Sequence, residues 1–344
     1  MSDTKKIAIF EAEKWEQDYL KEQLEKAGGF DCLYATDDYL KEDDVSKIKD
    51  IEILVVFIHS QVTAEIIEKL PNLKLITTRS TGYDHIDVKA CEEKGIVVCN
   101  VPFYGENTVA EHAFALILAI SRKIVESYER IRDLDYDLSG LRGFDLKGKT
   151  LGIVGMGHIG QNVARIARGF GMEVVASDPH ENAELAEEIG FTYLPLVEVL
   201  ANSDIVTLHA PLIEATHHMI NKDTIKEIKK GAYIINTARG GLIETDALVQ
   251  ALKDELIAGA GLDVIEEEEF IREGRKMLMS PDEAKHDLKT ILQGHFLIED
   301  PRVIVTPHNA FNSIEALTRI LNTTIENISG FVSEKPENVV QVKK

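Results

Sequence analysis

The chain sets 38 Lys and Arg against 59 Asp and Glu in 344 residues, a formal charge of −21, with 44% hydrophobic and 28% charged residues. At about 100–200 residues per domain this predicts two domains with proper cores and excludes global disorder. The acidic excess repels phosphate backbones, so no nucleic-acid partner is expected. The longest apolar runs, 51–58 and 113–120, fall far short of the ~20 residues that span a bilayer, so no membrane is expected either. Residues 1–10 hold no secretory h-region, and Cys32, Cys91 and Cys99 follow no metal spacing and are odd in number. A reducing compartment and a cytoplasmic protein follow from that.

In chain order, 7–10 reads as a strand and 11–27 as a helix with Trp15, Leu20 and Leu24 near helical spacing, stopped by Gly28 and Gly29. The run 53–58 suits a strand buried on both faces, 63–70 a helix ending before Pro71, and 73–77 and 96–98 further strands of a small doubly wound sheet. Pro102 and Gly105 punctuate the chain before one long helix over 108–132. Its part 109–120 is apolar on nearly every side and is expected to be buried, partly in a subunit contact. After a polar stretch, 133–148, a second alternating region gives strands at 150–154, 173–177, 205–208, 232–236 and 259–263. Residues 266–300 read as a partly helical surface excursion, 303–306 as a strand and 314–331 as a closing helix. The fold class is α/β, with two doubly wound parallel sheets.

Between the strand at 150–154 and the helix after it stands Gly155-Met156-Gly157-His158-Ile159-Gly160. Gly155 permits the tight turn, Gly157 lets a pyrophosphate approach the backbone, and Gly160 allows close helix–strand packing. The phosphates would meet unsatisfied N–H groups at the helix start. Asp178, 18 residues after Gly160, sits where a carboxylate takes the adenosine ribose hydroxyls and repels a 2′-phosphate, so NAD is expected over NADP.

Three further places offer chemistry. Arg239 follows the strand 232–236, where ligands of open α/β sheets collect, and suits a substrate carboxylate or a surface ion pair. His308, after the strand 303–306, is the best placed of 11 histidines for proton transfer, the alternative being a buried, satisfied ring. Within Glu266-Glu267-Glu268-Glu269 one carboxylate can pair with His308 and stabilise its imidazolium, and periodicity does not choose which. His217 and His218 invite a metal, but no third ligand has suitable spacing, so none is expected.

Together with Ser80-Thr81-Gly82-Tyr83-Asp84-His85-Ile86-Asp87, Asn100-Val101-Pro102, Thr108-Val109-Ala110-Glu111-His112, His209-Ala210-Pro211, Asn236-Thr237-Ala238-Arg239-Gly240-Gly241, Gly261-Leu262-Asp263-Val264 and Thr306-Pro307-His308, this pattern resembles the D-isomer-specific 2-hydroxyacid dehydrogenase family over essentially the whole chain, most closely its D-lactate branch. The resemblance implies a Rossmann NAD domain, 102–311, inserted in a flavodoxin-like substrate domain formed by 1–101 and 312–344, and a homodimer. It implies hydride transfer between NADH and pyruvate or a similar small 2-oxo acid. Arg239, Glu268 and His308 would be catalytic, Glu268 being chosen because it stands five positions after Asp263. Thr81, Gly82, Tyr104 and Phe311 would bind substrate. Thr108, His158, Ile159, His209, Ala210, Pro211, Thr216, Thr237, Ala238 and Asp263 would line the cofactor site with Gly155, Gly157, Gly160, Asp178, Arg239 and His308. Compact glyoxylate and hydroxypyruvate reductases usually follow the catalytic Glu with Pro, whereas Glu269-Phe270 opens a long segment here. Reduction of glyoxylate, hydroxypyruvate or a branched 2-oxo acid is the rival enzyme reading. An NAD-sensing, corepressor-like binding protein is the rival from another class.

Overall fold

A computed structural model describes residues 4–268 and 288–341. The chain divides into two compact units, Met1–Tyr104 with Ser313–Lys344 and Gly105–Asn312.

In the first unit, strands β1 (Lys5–Ile9), β2 (Phe30–Ala35), β3 (Ile53–Val56), β4 (Leu75–Thr78) and β5 (Val97–Cys99) form one parallel sheet in the order β2-β1-β3-β4-β5. That order is the flavodoxin-like one. Every residue of β3 and β4 is buried, which explains their unbroken apolar sequence. Helix α1 (Lys14–Ala27) starts later than the sequence suggests, because Glu11 takes a left-handed backbone at φ 54° and the Glu16 carboxylate caps the Glu13 N–H at 2.7 Å. It buries Leu20 and Leu24, but Trp15 is 41% exposed, so the expected apolar stripe begins at Leu20. Helix α2 (Ala64–Glu68) is capped by the Thr63 hydroxyl. Strand β2 and helix α3 (Val88–Glu93) escape sequence reading, since β2 alternates only between exposed and half-buried positions and α3 is barely over one turn. The closing helix, Ile314–Val332, sets Leu321 and Ile328 into the core with Ile7, Ile9 and Leu20.

The second unit opens with α4 (Glu106–Ser121) and α5 (Ile124–Arg132). The single helix expected over 108–132 is two, broken where Lys123 adopts φ 52°. Helix α4 buries Ala113, Phe114, Leu116, Ile117 and Ile120 in its own unit's core, so much of the burial expected of 109–120 is met within one chain. Helix α5 buries nothing and exposes Ile124 and Tyr128. Strands β6 (Thr150–Val154), β7 (Glu173–Ser177), β8 (Thr192–Tyr193), β9 (Ile205–Leu208), β10 (Ala232–Asn236), β11 (Ile257–Leu262) and β12 (Val303–Val305) form a parallel sheet in the order β12-β11-β10-β9-β6-β7-β8. This is the Rossmann winding, reversing direction between β6 and β9. The helices between strands are α6 (His158–Gly169), α7 (Ala183–Ile189), α8 (Leu196–Asn202), α9 (Thr245–Lys253) and α10 (Leu288–Glu299). Helix α10 packs on α9 and β12 and buries Ile291 and Leu297, so this part of the expected surface excursion belongs to the core. The rest of that excursion, 269–287, lies outside the described residues. Among the described residues no helix is long and apolar enough to cross a membrane.

Candidate active site

The site grows from the carboxyl ends of the strands of the larger sheet. At β6 the chain turns through Gly155, φ 97°, into α6, for which Gly157 is the N-cap. A Cβ on Gly155 would lie 2.7 Å from the His209 carbonyl and one on Gly160 would lie 2.1 Å from the Gly155 oxygen, so both must be glycine to keep the turn packed. A Cβ on Gly157 would meet nothing within 4 Å, so the backbone there faces open space at the helix start, as a phosphate cradle requires. Asp178, just beyond β7, accepts the Met156 N–H at 2.7 Å and the His180 N–H at 2.8 Å. Its carboxylate therefore also fastens the glycine turn, with one lone pair left on each oxygen.

Three buried polar atoms on the same sheet edge have no protein partner among the described residues: His209 Nδ1 after β9, Thr237 Oγ1 after β10 and Asn309 Oδ1 after β12. Buried polar groups are rarely left so, and a dinucleotide with its amide and hydroxyl groups suits them. His209 Nε2 lies 2.9 Å from Thr207 Oγ1, and burial pushes its imidazole down to about 3, so it is a neutral ring at physiological pH. Of the other expected cofactor-lining residues, Thr216 donates to the Pro211 carbonyl at 2.5 Å and accepts the Ile213 N–H, which shapes the 211–216 loop. Ala210 is buried and Pro211 exposed beside it, Thr108 lies in the first turn of α4, His158 and Ile159 open α6, and Ala238 precedes Arg239. Asn309 and Asn236 were not singled out from sequence. The wholly buried Asn236 side chain clasps the loop by accepting the Ala238 N–H at 3.0 Å and donating to the Arg239 carbonyl at 2.9 Å.

Arg239 is half-buried, with Nη1 donating to the Ala238 carbonyl at 2.8 Å. A Cβ on Gly240 would lie 2.3 Å from the Ile265 carbonyl, so glycine lets the arginine loop press against the segment that leads to Glu268. His308 Nδ1 lies 2.8 Å from Glu268 Oε1, the carboxylate that the resemblance singles out of the four. Nε2 of His308 has no protein partner among the described residues. The histidine is held at φ 52° by its N–H, which lies 2.9 Å from both the Asp263 and Thr306 carbonyls. Asp263, expected along the cofactor, is buried and grips this loop, accepting from Thr306 Oγ1 at 2.5 Å, Asn309 N at 3.0 Å and Ala310 N at 2.9 Å. Burial would raise its carboxyl, but the hydrogen bonds from His112, Thr306, Ala310 and Asn309 outweigh it and hold it below the usual carboxylate range. His112 was quoted in a motif only; its Nε2 lies 3.2 Å from Thr306 Oγ1.

In the smaller unit, the Thr81 carbonyl accepts Asn100 Nδ2 at 2.8 Å and the Gly82 carbonyl accepts Ser80 Oγ at 2.6 Å. The N–H groups of Thr81 and Gly82 donate to no protein group among the described residues. Tyr104 closes this unit's first segment, its carbonyl accepting Arg319 Nε at 2.5 Å, and half-buried Phe311 is the last residue but one of the larger unit.

The third partner that sequence spacing did not supply to His217 and His218 is Glu266, the ligand-type atoms of the three lying within 4.8 Å of one another. Glu266 Oε1 is 2.5 Å from His218 Nε2, while Oε2 accepts from Thr245 N and Oγ1 at 2.8 and 2.6 Å. Both oxygens thus take protein donors, which is the geometry of a brace more than of an ion site.

Comparison with known proteins agrees with this chemistry. The family model for the NAD-binding domain of D-isomer specific 2-hydroxyacid dehydrogenases matches residues 114–310. A glyoxylate reductase of Korarchaeum cryptofilum is 36% identical over 86% of this chain and 84% of its own. The structure of the pyruvate reductase of Chlamydomonas reinhardtii superposes with a TM-score of 0.84 at 38% identity, covering 97% of this chain and 98% of that one. The D-lactate dehydrogenase of Aquifex aeolicus, complexed with NAD and lactic acid, gives a TM-score of 0.86 at 33% identity, covering 98% and 100%.

Proposed function

The chain belongs to the D-isomer-specific 2-hydroxyacid dehydrogenase family, an NAD-dependent oxidoreductase of small 2-oxo and 2-hydroxy acids, and from that premise we propose that it is a D-lactate dehydrogenase reducing pyruvate. The observation that carries the mechanism is the 2.8 Å contact of His308 Nδ1 with Glu268, which leaves Nε2 to face a substrate. Bound NADH supplies the hydride. Protonated His308 gives its Nε2 proton to the oxo-acid oxygen as that becomes an alcohol, and takes it back in the reverse reaction. Glu268 fixes the ring orientation and stabilises the imidazolium. Arg239 pairs with the substrate carboxylate and orients the carbonyl. Tyr104 and Phe311 favour a small acid.

The likeness to a pyruvate reductase and a D-lactate dehydrogenase supports pyruvate, whereas the glyoxylate reductase relative favours a second reading, a reductase of glyoxylate or a related acid. A complete Arg239, Glu268 and His308 set favours catalysis over NAD sensing. We propose a homodimer, its second copy covering α5 and the stretch after it, a reading supported by Ile124, Tyr128, Leu134, Tyr136 and Leu138, which are 54–82% exposed. Three unpaired cysteines suit a cytoplasmic setting.

The test follows NADH absorbance with pyruvate, glyoxylate, hydroxypyruvate and 2-oxoisocaproate, then NAD with D- and L-lactate. Pyruvate reduced fastest, with only D-lactate oxidised, is the expected result. Faster turnover of another acid moves the substrate and keeps the residues; tight NADH binding without turnover of any acid overturns the catalytic reading.

A further inference from the structure

From β11 the chain runs through Asp263, Glu266 and Glu268, three carboxylates that meet three different partners. Between the last two, Glu267 sits at φ 55°, a left-handed backbone that non-glycine residues seldom adopt and that persists only where both sides are held. One side is held by Glu268 on His308. The other is held by Glu266, which takes the Thr245 N–H and hydroxyl at the start of α9 and meets His218 Nε2. His218 is itself at φ 51°, with its N–H donated to the Gly241 carbonyl at 2.8 Å, two residues from Arg239. The same brace therefore reaches the turn that carries Glu268 and the loop that carries Arg239.

We propose that Glu266, together with His218, is a positioning residue that holds the Glu267 turn so that Glu268 meets His308 Nδ1. The proposal rests on the reading of Glu268 as partner of the acid–base His308. Without Glu266 the turn relaxes from its left-handed state and the Glu268 carboxylate leaves the imidazole, while the glycine turn of the cofactor site is untouched.

The experiment is a double-variant cycle on the full-length protein with NADH and pyruvate, or whichever acid of the panel turns over fastest. Glu266→Ala is expected to lower kcat about tenfold with NADH affinity unchanged, and Glu266→Gln, which still accepts from Thr245, to stay within about threefold of the parent. Glu266→Ala combined with Glu268→Gln should be no slower than Glu268→Gln alone, because the two losses act through one contact. Multiplying losses, or a Glu266→Ala enzyme with parental kcat, would overturn the proposal. Should Glu266→Ala fail to fold by circular dichroism, His218→Gln takes its place in the cycle with the same criteria. If Glu268→Gln itself keeps full kcat, the acid–base reading has failed separately. The His308 Nδ1 nitrogen resonance then decides: a common displaced position in Glu266→Ala and Glu268→Gln supports the brace, and a parental position in Glu266→Ala removes it.

Discussion

Near the carboxyl ends of β1 and β3, Glu11 takes the N–H groups of Phe57, His59 and Ser60 and the Ser60 hydroxyl, and the buried Arg79 closes on Glu16 and on the carbonyls of Phe10 and Glu11. At the corresponding edge of the seven-stranded sheet, His209, Thr237 and Asn309 each keep a buried polar atom that no group of the described residues meets. The two sheets are wound by similar rules, yet one edge satisfies its carboxylate and most of its guanidinium internally, while the other holds acceptors and donors ready for something else. Unsatisfied burial of this kind costs about 1–3 kcal/mol per group, so it persists where a ligand returns the energy. A Cβ on Gly28, Gly29 or Gly95 of the smaller unit would meet nothing within 4 Å, whereas Gly155, Gly160 and Gly240 of the larger one are pressed against backbone.

The comparison can be pushed hardest through the reacting groups. His308→Ala is expected to lower kcat by about 10³-fold with little change in NADH affinity, while Arg239→Ala mainly raises the oxo-acid KM; steady-state kinetics check both, and unchanged turnover in His308→Ala would remove the acid–base assignment. Next come the glycines of the turn. Gly160→Ala forces a Cβ to 2.1 Å from the Gly155 oxygen and should destabilise the fold by about 3 kcal/mol in urea melts. Gly157→Ala, with open space around the new methyl, should keep its melting profile and lose NADH binding. Polar groups give a finer contrast. Glu11→Gln should lower apo stability by about 2 kcal/mol and leave NADH affinity alone. Thr237→Val should leave apo stability unchanged or slightly higher and weaken NADH about fivefold. A common response from the two variants would erase the distinction between the edges.

The last contrast is a pH slope. His209 titrates at about 3 in the folded chain against 6.5 for a free imidazole, so the fold favours the neutral ring. Its contribution is fully present above the unfolded value and is lost as pH falls from about 6.5 toward about 3, at up to about 1.4 kcal/mol per pH unit. Urea midpoints of the apo protein across that window should fall less steeply in His209→Asn.

Much of the scaffold was legible because parallel strands buried on both faces announce themselves: 150–154, 205–208 and 232–236 carry the bounds expected of them, as does the half-buried 173–177. The break after Arg122 was not, since no Gly or Pro marks it and the left-handed Lys123 is a tertiary choice. Strand β2 has no buried face to betray it. At the site, the glycine turn, Arg239 and His308 stand at strand ends and could be named from sequence. Spacing alone did not choose among four adjacent carboxylates, and Glu268 was named only through the family resemblance, while linking Glu266 to His218 needed a contact across 48 residues of chain. Asn309 gives no sequence sign at all, because only its burial without a partner makes it informative.

The smaller unit is written in two pieces, Met1–Tyr104 and Ser313–Lys344, with the whole of the larger unit between them. Its core is incomplete until Leu321 and Ile328 arrive, and the Asn327 side chain that donates to the Asn100 carbonyl at 2.8 Å arrives with them. On the ribosome, the first hundred residues therefore emerge early and wait, while the intervening unit has every strand of its sheet before the closing helix is made. Synthesis order favours the larger unit as the first to finish folding, and the long loop it closes makes the last step of the smaller one slow, with apolar strands left uncovered in the interval.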